Sequence, residues 1–311
     1  MPHLARLAWG CVLLGLVAGC CDQPSRSARR WTTMGTLAAL HGADDASVAA
    51  VQQLCRRHEE IFSAWSPTSE LSRVNAAAGT AQRVPLSPDL AAVLQRALLL
   101  RDESGGAFNP LLGPISRLWG FLGAPLPAAE PTAETIDAAR RLTTPDALAF
   151  DPETATCQLT KPGAQLDLGG IAKGYAVDCA CELLVSNGVS NALMDLGGNL
   201  KAVGDRVWKI GIRDPFRRGE ICQTIELHGG EAAATSGGYE RAITIQGRRH
   251  AHILDGRTGR PCESGVASVT VIAPSAAEAD ALSPALFILG REKGEELLAR
   301  HPGCRAIWIH E

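Results

Sequence analysis

The chain has 311 residues, 46% of them hydrophobic and 20% charged, with a formal net charge of −3 at pH 7. These proportions are ordinary for a globular protein, and the slight acidic balance argues against a nucleic-acid binder. Past the first two dozen residues no stretch offers about 18 consecutive apolar residues, so the pattern excludes a conventional membrane-spanning helix there.

The opening segment, MPHLARLAWGCVLLGLVAGCC, carries a charge at Arg6 and then an apolar run from Leu7 to Ala18. The run is too short to cross a bilayer comfortably and has the layout of a secretory signal peptide. Val17-Ala18-Gly19 leads straight into Cys20. That junction resembles the lipobox of bacterial lipoproteins, in which the cysteine is lipidated. The expected organisation is a signal peptide over 1–19, a lipid-anchored tether over 20–30 with lipid on Cys20, and one folded domain over 31–311. The expected location is the bacterial envelope, on a periplasm-facing membrane surface. An ordinary signal peptide with an incidental cysteine is the alternative. Ten cysteines occur, with no C-x-x-C spacing and no metal signature. Most are expected to be small buried hydrophobes.

The folded part is expected to start at Trp31. Apolar positions at helical spacing predict a helix from Ser47 to Trp65. Ser87 as cap, Pro88 in the first turn and Gly105 as stop predict a second helix between them. A third is predicted over 132–142. Short strands are predicted at 147–150, 156–160 and 164–168, then a helix over 170–186. Strand-like runs return at 191–196, 206–213, 222–228, 240–246, 250–254 and 266–273. Helices are predicted over 275–289 and 291–300, and a last strand over 305–310. Helices and strands do not alternate strictly, so the class is α+β. The Ala/Pro-rich stretch 122–132 reads as a surface loop.

Chemistry concentrates in five clusters. Asp167-Leu168-Gly169-Gly170-Ile171-Ala172-Lys173-Gly174-Tyr175 joins an acid, two glycines and a helix start, which can seat phosphate or can be a plain strand-to-helix turn. Asp195-Leu196-Gly197-Gly198-Asn199 reads as a tight turn between strands. Thr235-Ser236-Gly237-Gly238 reads as a turn offering hydroxyls and amides to an anion. His250 and His252 stand two apart on an expected strand; a histidine acting beside phosphate fits better than zinc, which lacks a third spaced ligand. Asp280, near a helix start, can be a cap or a Mg²⁺ ligand.

In their order along the chain these clusters resemble the ApbE family of FAD:protein FMN transferases. Met34-Gly35-Thr36, Ser69-Glu70-Leu71-Ser72-Arg73-Val74-Asn75, Gly106-Ala107-Phe108-Asn109-Pro110, the Asp167–Tyr175 segment, Leu196-Gly197-Gly198-Asn199, Ala234–Tyr239, His252–Gly259 and Ala279–Leu286 carry the resemblance. It implies a single large α+β domain, related to the T-fold, with mixed sheets and flanking helices. It implies Mg²⁺-dependent transfer of FMN from FAD to a threonine or serine hydroxyl of a target flavoprotein, with release of AMP. Position by position, Met34, Trp65, Ala107, Phe108, Asn109, Asp167, Lys173 and Ile253 match flavin- or adenine-contacting positions. Gly170 through its carbonyl, Asp280 and position 284 match the metal site. His252 is the candidate base and Asp255 the second. Four positions depart from the family pattern: Trp65 for tyrosine, Asn109 for aspartate, Gly256 for proline, and Pro284 for the threonine metal ligand. Ser283 is the neighbouring oxygen that could stand in. Hydrolysis of FAD to FMN and AMP, or FAD binding without catalysis, are the alternatives that use the same site.

Overall fold

The computed structural model describes residues 28–240 and 242–311. The expected signal peptide, Cys20 and most of the expected tether lie outside the described residues. The first strand, β1 (Arg29–Thr33), pairs with β2 (Thr36–His41). Helices α1 (Asp45–Phe62) and α2 (Glu70–Ala76) follow, then β3 (Val84–Pro85), α3 (Pro88–Glu103), α4 (Gly113–Leu118) and α5 (Ala133–Arg140). Strands β4 (Leu148–Asp151) and β5 (Thr156–Leu159) precede α6 (Ala172–Ser186). A run of strands comes next: β6 (Ala192–Leu196), β7 (Asn199–Val203), β8 (Trp208–Arg213), β9 (Ile221–Leu227) and β10 (Ala232–Gly237). The chain then forms β11 (Ala242–Ile245), β12 (Arg248–Ala251), β13 (Leu254–Asp255), β14 (Arg260–Pro261), β15 (Val266–Ala273), α7 (Ala276–Leu298) and β16 (Arg305–His310).

The α+β class is as expected. The frame is a seven-stranded sheet in the order β1-β2-β6-β7-β10-β15-β16, antiparallel throughout. Alternation along its strands sends side chains to two faces. Met194 and Leu196 pack with Val51 of α1 and Val177, Ala180 and Leu184 of α6. Leu193, Leu200 and Ile272 point the other way, onto Trp208, Ile210 and Ile225 of the β8–β9 hairpin. With both faces covered, β6 and β15 are buried along their whole length.

Several local expectations hold because their causes are local. The Ser87 hydroxyl accepts the Leu90 N–H, and Pro88 opens α3. Gly290, at φ 73°, breaks α7 where two helices were expected; the Ser275 hydroxyl that caps α7 was not among the expectations. Others need correction. β1 takes in Arg29 and Arg30, ahead of the expected start at Trp31, because they pair with Leu40 and Ala39. The segment 164–168 is not a strand. Asn75 takes both backbone groups of Leu166 on its side chain, at 3.0 Å and 2.7 Å, which replaces a ladder. Thr235-Ser236-Gly237 is the end of β10 rather than a turn, paired in register with Thr270, Val269 and Ser268. Among the seven described cysteines, all unbridged, Cys55, Cys157 and Cys181 are buried; Cys179, Cys262 and Cys304 are half-buried and Cys222 is exposed.

Candidate active site

The candidate residues gather around the first turn of α6. That helix begins at Ile171–Ala172 without a side-chain cap of its own, so its early N–H groups need partners. Asp280, from the second turn of α7, supplies one: its Oδ2 accepts the Gly174 N–H at 2.9 Å. Asp280 therefore caps a helix, but α6 rather than the one it sits on. Lys173 Nζ lies 3.4 Å from both Asp280 oxygens and donates to the Gly169 carbonyl at 2.7 Å. Asp280 is only 7% exposed, so its charge is little screened. Asp167 closes the turn from the other side, with Oδ1 accepting the Gly169 N–H at 3.0 Å and Oδ2 facing the Ser116 hydroxyl at 3.3 Å.

The two helices can approach this closely because of Gly174. A Cβ there would run into the Ala276 carbonyl of α7. Asp178, one turn further along α6, fixes the same junction. Its carboxylate accepts the Ala276 and Ala277 N–H groups, both at 2.9 Å, together with the Ser275 hydroxyl and Lys201 Nζ. It is an N-terminal cap for α7 delivered from a different helix.

Gly170 faces Phe108 and Pro284. A Cβ placed on it would be 3.2 Å from Phe108 Cε2 and 3.8 Å from Pro284 Cγ. Position 284 is thus beside Gly170, as the metal reading needs, but it brings no oxygen. Ser283 is turned elsewhere. It is buried, its hydroxyl pairs with Ser236 at 2.9 Å, and it also donates to the Asp280 carbonyl at 3.3 Å. That carbonyl would ordinarily accept the N–H of residue 284, which proline lacks. Of the positions expected to hold the metal, Asp280 keeps a carboxylate and Gly170 a backbone carbonyl. Hard oxygens of this kind suit Mg²⁺ that keeps several waters.

The residues expected at flavin-contacting positions are spread around this centre. Ala107 and Phe108 are buried. Asn109 bonds the Thr143 carbonyl and the Leu111 N–H, and lies against Gly256. Two of the four family departures are therefore neighbours. Ile253 is buried in the same cluster as Phe108. Trp65 is 66% exposed and packs edge-on against Gly123, inside the Ala/Pro-rich loop. Met34 forms a two-residue turn with Gly35, at φ 47° and 67°, the combination of a type I′ hairpin.

His250 and His252 do not share a strand, since β12 ends at Ala251. His250 is buried against Trp119, 5.1 Å between ring centres, with Nε2 3.2 Å from Glu130 Oε1. His252 is half-buried in the bend before β13. Asp255 is held by Arg257, which donates from Nε and Nη2 at 2.9 Å each, and its own turn uses the rest of it. Among the described residues no group of three His, Cys, Asp or Glu side chains could hold a metal ion. Sequence reasoning missed Glu59, Ser116, Asp178 and Lys201. Asp178 left a signal, an acid between Val177 and Cys179 on the face of α6 that is otherwise apolar and buried.

The chain was compared with known proteins. The family model described as "ApbE family" matches residues 34–308. The FAD:protein FMN transferase of Treponema pallidum is 37% identical over 280 residues, covering 85% of this chain and 77% of that protein. The same enzyme from Klebsiella pneumoniae is 35% identical, covering 87% and 84%. Among solved structures, the flavin transferase ApbE of Vibrio cholerae superposes with a TM-score of 0.80 at 28% identity, covering 92% of this chain and 94% of that one. The ApbE protein of Thermotoga maritima gives 0.82 at 31% identity, covering 91% and 94%.

Proposed function

The chain belongs to the ApbE family, and from that premise we propose how it transfers FMN from FAD to a target protein. A threonine or serine oxygen of the target forms a bond to the FMN phosphorus. The bond from that phosphorus to the pyrophosphate bridge breaks, AMP leaves with the bridging oxygen, and the hydroxyl proton passes to His252. Asp255, whose carboxylate Arg257 engages, is the second candidate for that proton. Transfer of this kind depends on alignment and charge neutralisation. Mg²⁺ held by Asp280 and the Gly170 carbonyl would offset charge on the pyrophosphate. Lys173 and the N-terminus of α6 bring further positive potential to the same place.

The observation that carries this reading is the meeting of Lys173, Asp280 and Gly170 at the start of α6. The test is incubation with FAD and Mg²⁺, with and without a threonine-bearing acceptor, followed by chromatography for AMP and mass measurement of the acceptor. Transfer gives AMP only with acceptor, and an acceptor heavier by FMN minus water. AMP with free FMN and no acceptor means hydrolysis instead. One observation favours a binding-only protein, the missing oxygen at Pro284. FAD recovered intact with an acceptor that another ApbE enzyme modifies would establish it.

We also propose that Cys20 carries lipid and holds the domain at a membrane of the envelope. The support is the Val17-Ala18-Gly19-Cys20 junction. A Cys20→Ser variant should move from the membrane fraction to the soluble one.

A further inference from the structure

We infer that this chain binds its divalent cation only together with the dinucleotide, as a cation already carried on a pyrophosphate. The inference rests on the transferase reading and adds to it an order of binding set by four residues. Asp280 is the one carboxylate among the positions expected to hold the metal, and Lys173 Nζ sits 3.4 Å from each of its oxygens; Asp167, in the same turn, is held by the Gly169 N–H and faces the Ser116 hydroxyl. A cation entering alone must compete with that ammonium. It would gain a single carboxylate and a backbone carbonyl, too few protein ligands to replace much of its water. Pro284 offers no oxygen where it faces Gly170. Ser283 cannot make up the loss, because its hydroxyl is paired with Ser236 and the Asp280 carbonyl.

A pyrophosphate changes both sides of this balance. Its oxygens supply the missing ligands, and its charge gives Lys173 another partner, which frees Asp280. Cation and dinucleotide then bind with positive coupling, and each must raise the affinity of the other by the same factor.

The test uses Mn²⁺ as the probe, with its free-ion electron paramagnetic resonance signal as the readout, in the mature chain without and with saturating FAD. Flavin fluorescence follows FAD separately, and Mn²⁺ with FAD alone is the baseline. The expected result is Mn²⁺ binding at least about tenfold tighter when FAD is present. Pro284→Thr, which adds an oxygen, and Lys173→Met, which removes the competitor, should each tighten Mn²⁺ binding to the FAD-free protein. Equal Mn²⁺ affinity with and without FAD in the unaltered chain overturns the inference. So does an unchanged FAD-free affinity in both variants while both still fold. If FAD itself fails to bind, the transferase reading falls, and fluorescence shows this independently of Mn²⁺.

Discussion

Glu59, in the last turn of α1, accepts the backbone N–H of Met34 at 3.0 Å. Met34 sits at φ 47°, a left-handed conformation that costs a non-glycine residue roughly 1 kcal/mol or more. The carboxylate holds a strained turn at Met34, which the family resemblance matches to a flavin-contacting position. Glu59→Ala should lower FAD affinity about tenfold, in line with about 1.4 kcal/mol for that hydrogen bond to a charged group. Glu59→Gln, which keeps an acceptor oxygen, should recover most of it. Titration of flavin fluorescence distinguishes the two; equal affinity in all three proteins would detach Glu59 from the site.

Asp178 joins α6, α7 and β7 through four donors. Removing one partner of a buried pair leaves an uncompensated charge, at about 3–5 kcal/mol. Asp178→Ala should therefore be among the most destabilising single changes, with denaturant midpoint as the readout. Adding Lys201→Met should return part of the loss by removing the stranded ammonium. A double variant less stable than Asp178→Ala would show that Lys201 has another role.

Gly174→Ala tests the approach of α6 to α7. Its methyl would meet the Ala276 carbonyl, which is backbone and cannot swing aside. The helices must part, with a cost of about 1–3 kcal/mol. Asp280 should move away from Lys173, so FAD binding should weaken along with stability. Stability lost without any change in FAD affinity would mean that the helix spacing does not set the site.

Asp195, 9% exposed, has its carboxyl pushed up to about 6 by burial, against the Gly198 N–H and the charges of Arg213 and Arg30, which pull it down. A carboxyl raised above its unfolded value favours the folded state fully below about pH 4. That contribution is lost as pH rises through about 6. A shift of this size is worth on the order of 3 kcal/mol. Asp195→Asn keeps an oxygen for Gly198 and removes the buried charge. The variant should match the parent near pH 4 and exceed it in stability at pH 7.5. A constant stability difference across that range would sink the assignment.

The sequence by itself determined the helices with clear punctuation, α3 and α7 above all, and the order of the Gly-rich clusters. Those signals act within a turn or two of chain. Ser87 reaches Leu90, and Gly290 breaks α7 by its own conformation. The sequence also set the four family departures on view, including Pro284. Only the tertiary structure decided what the polar residues do. Asn75 replaces a strand ladder at Leu166, Asp178 caps α7 from α6, and Asp280 caps α6 from α7. Ser236 pairs with the hydroxyl of Ser283, the residue before Pro284. Each of these bonds joins residues far apart in the chain. It forms only when packing of the apolar faces has brought its partners within reach, and no local pattern of residues records that.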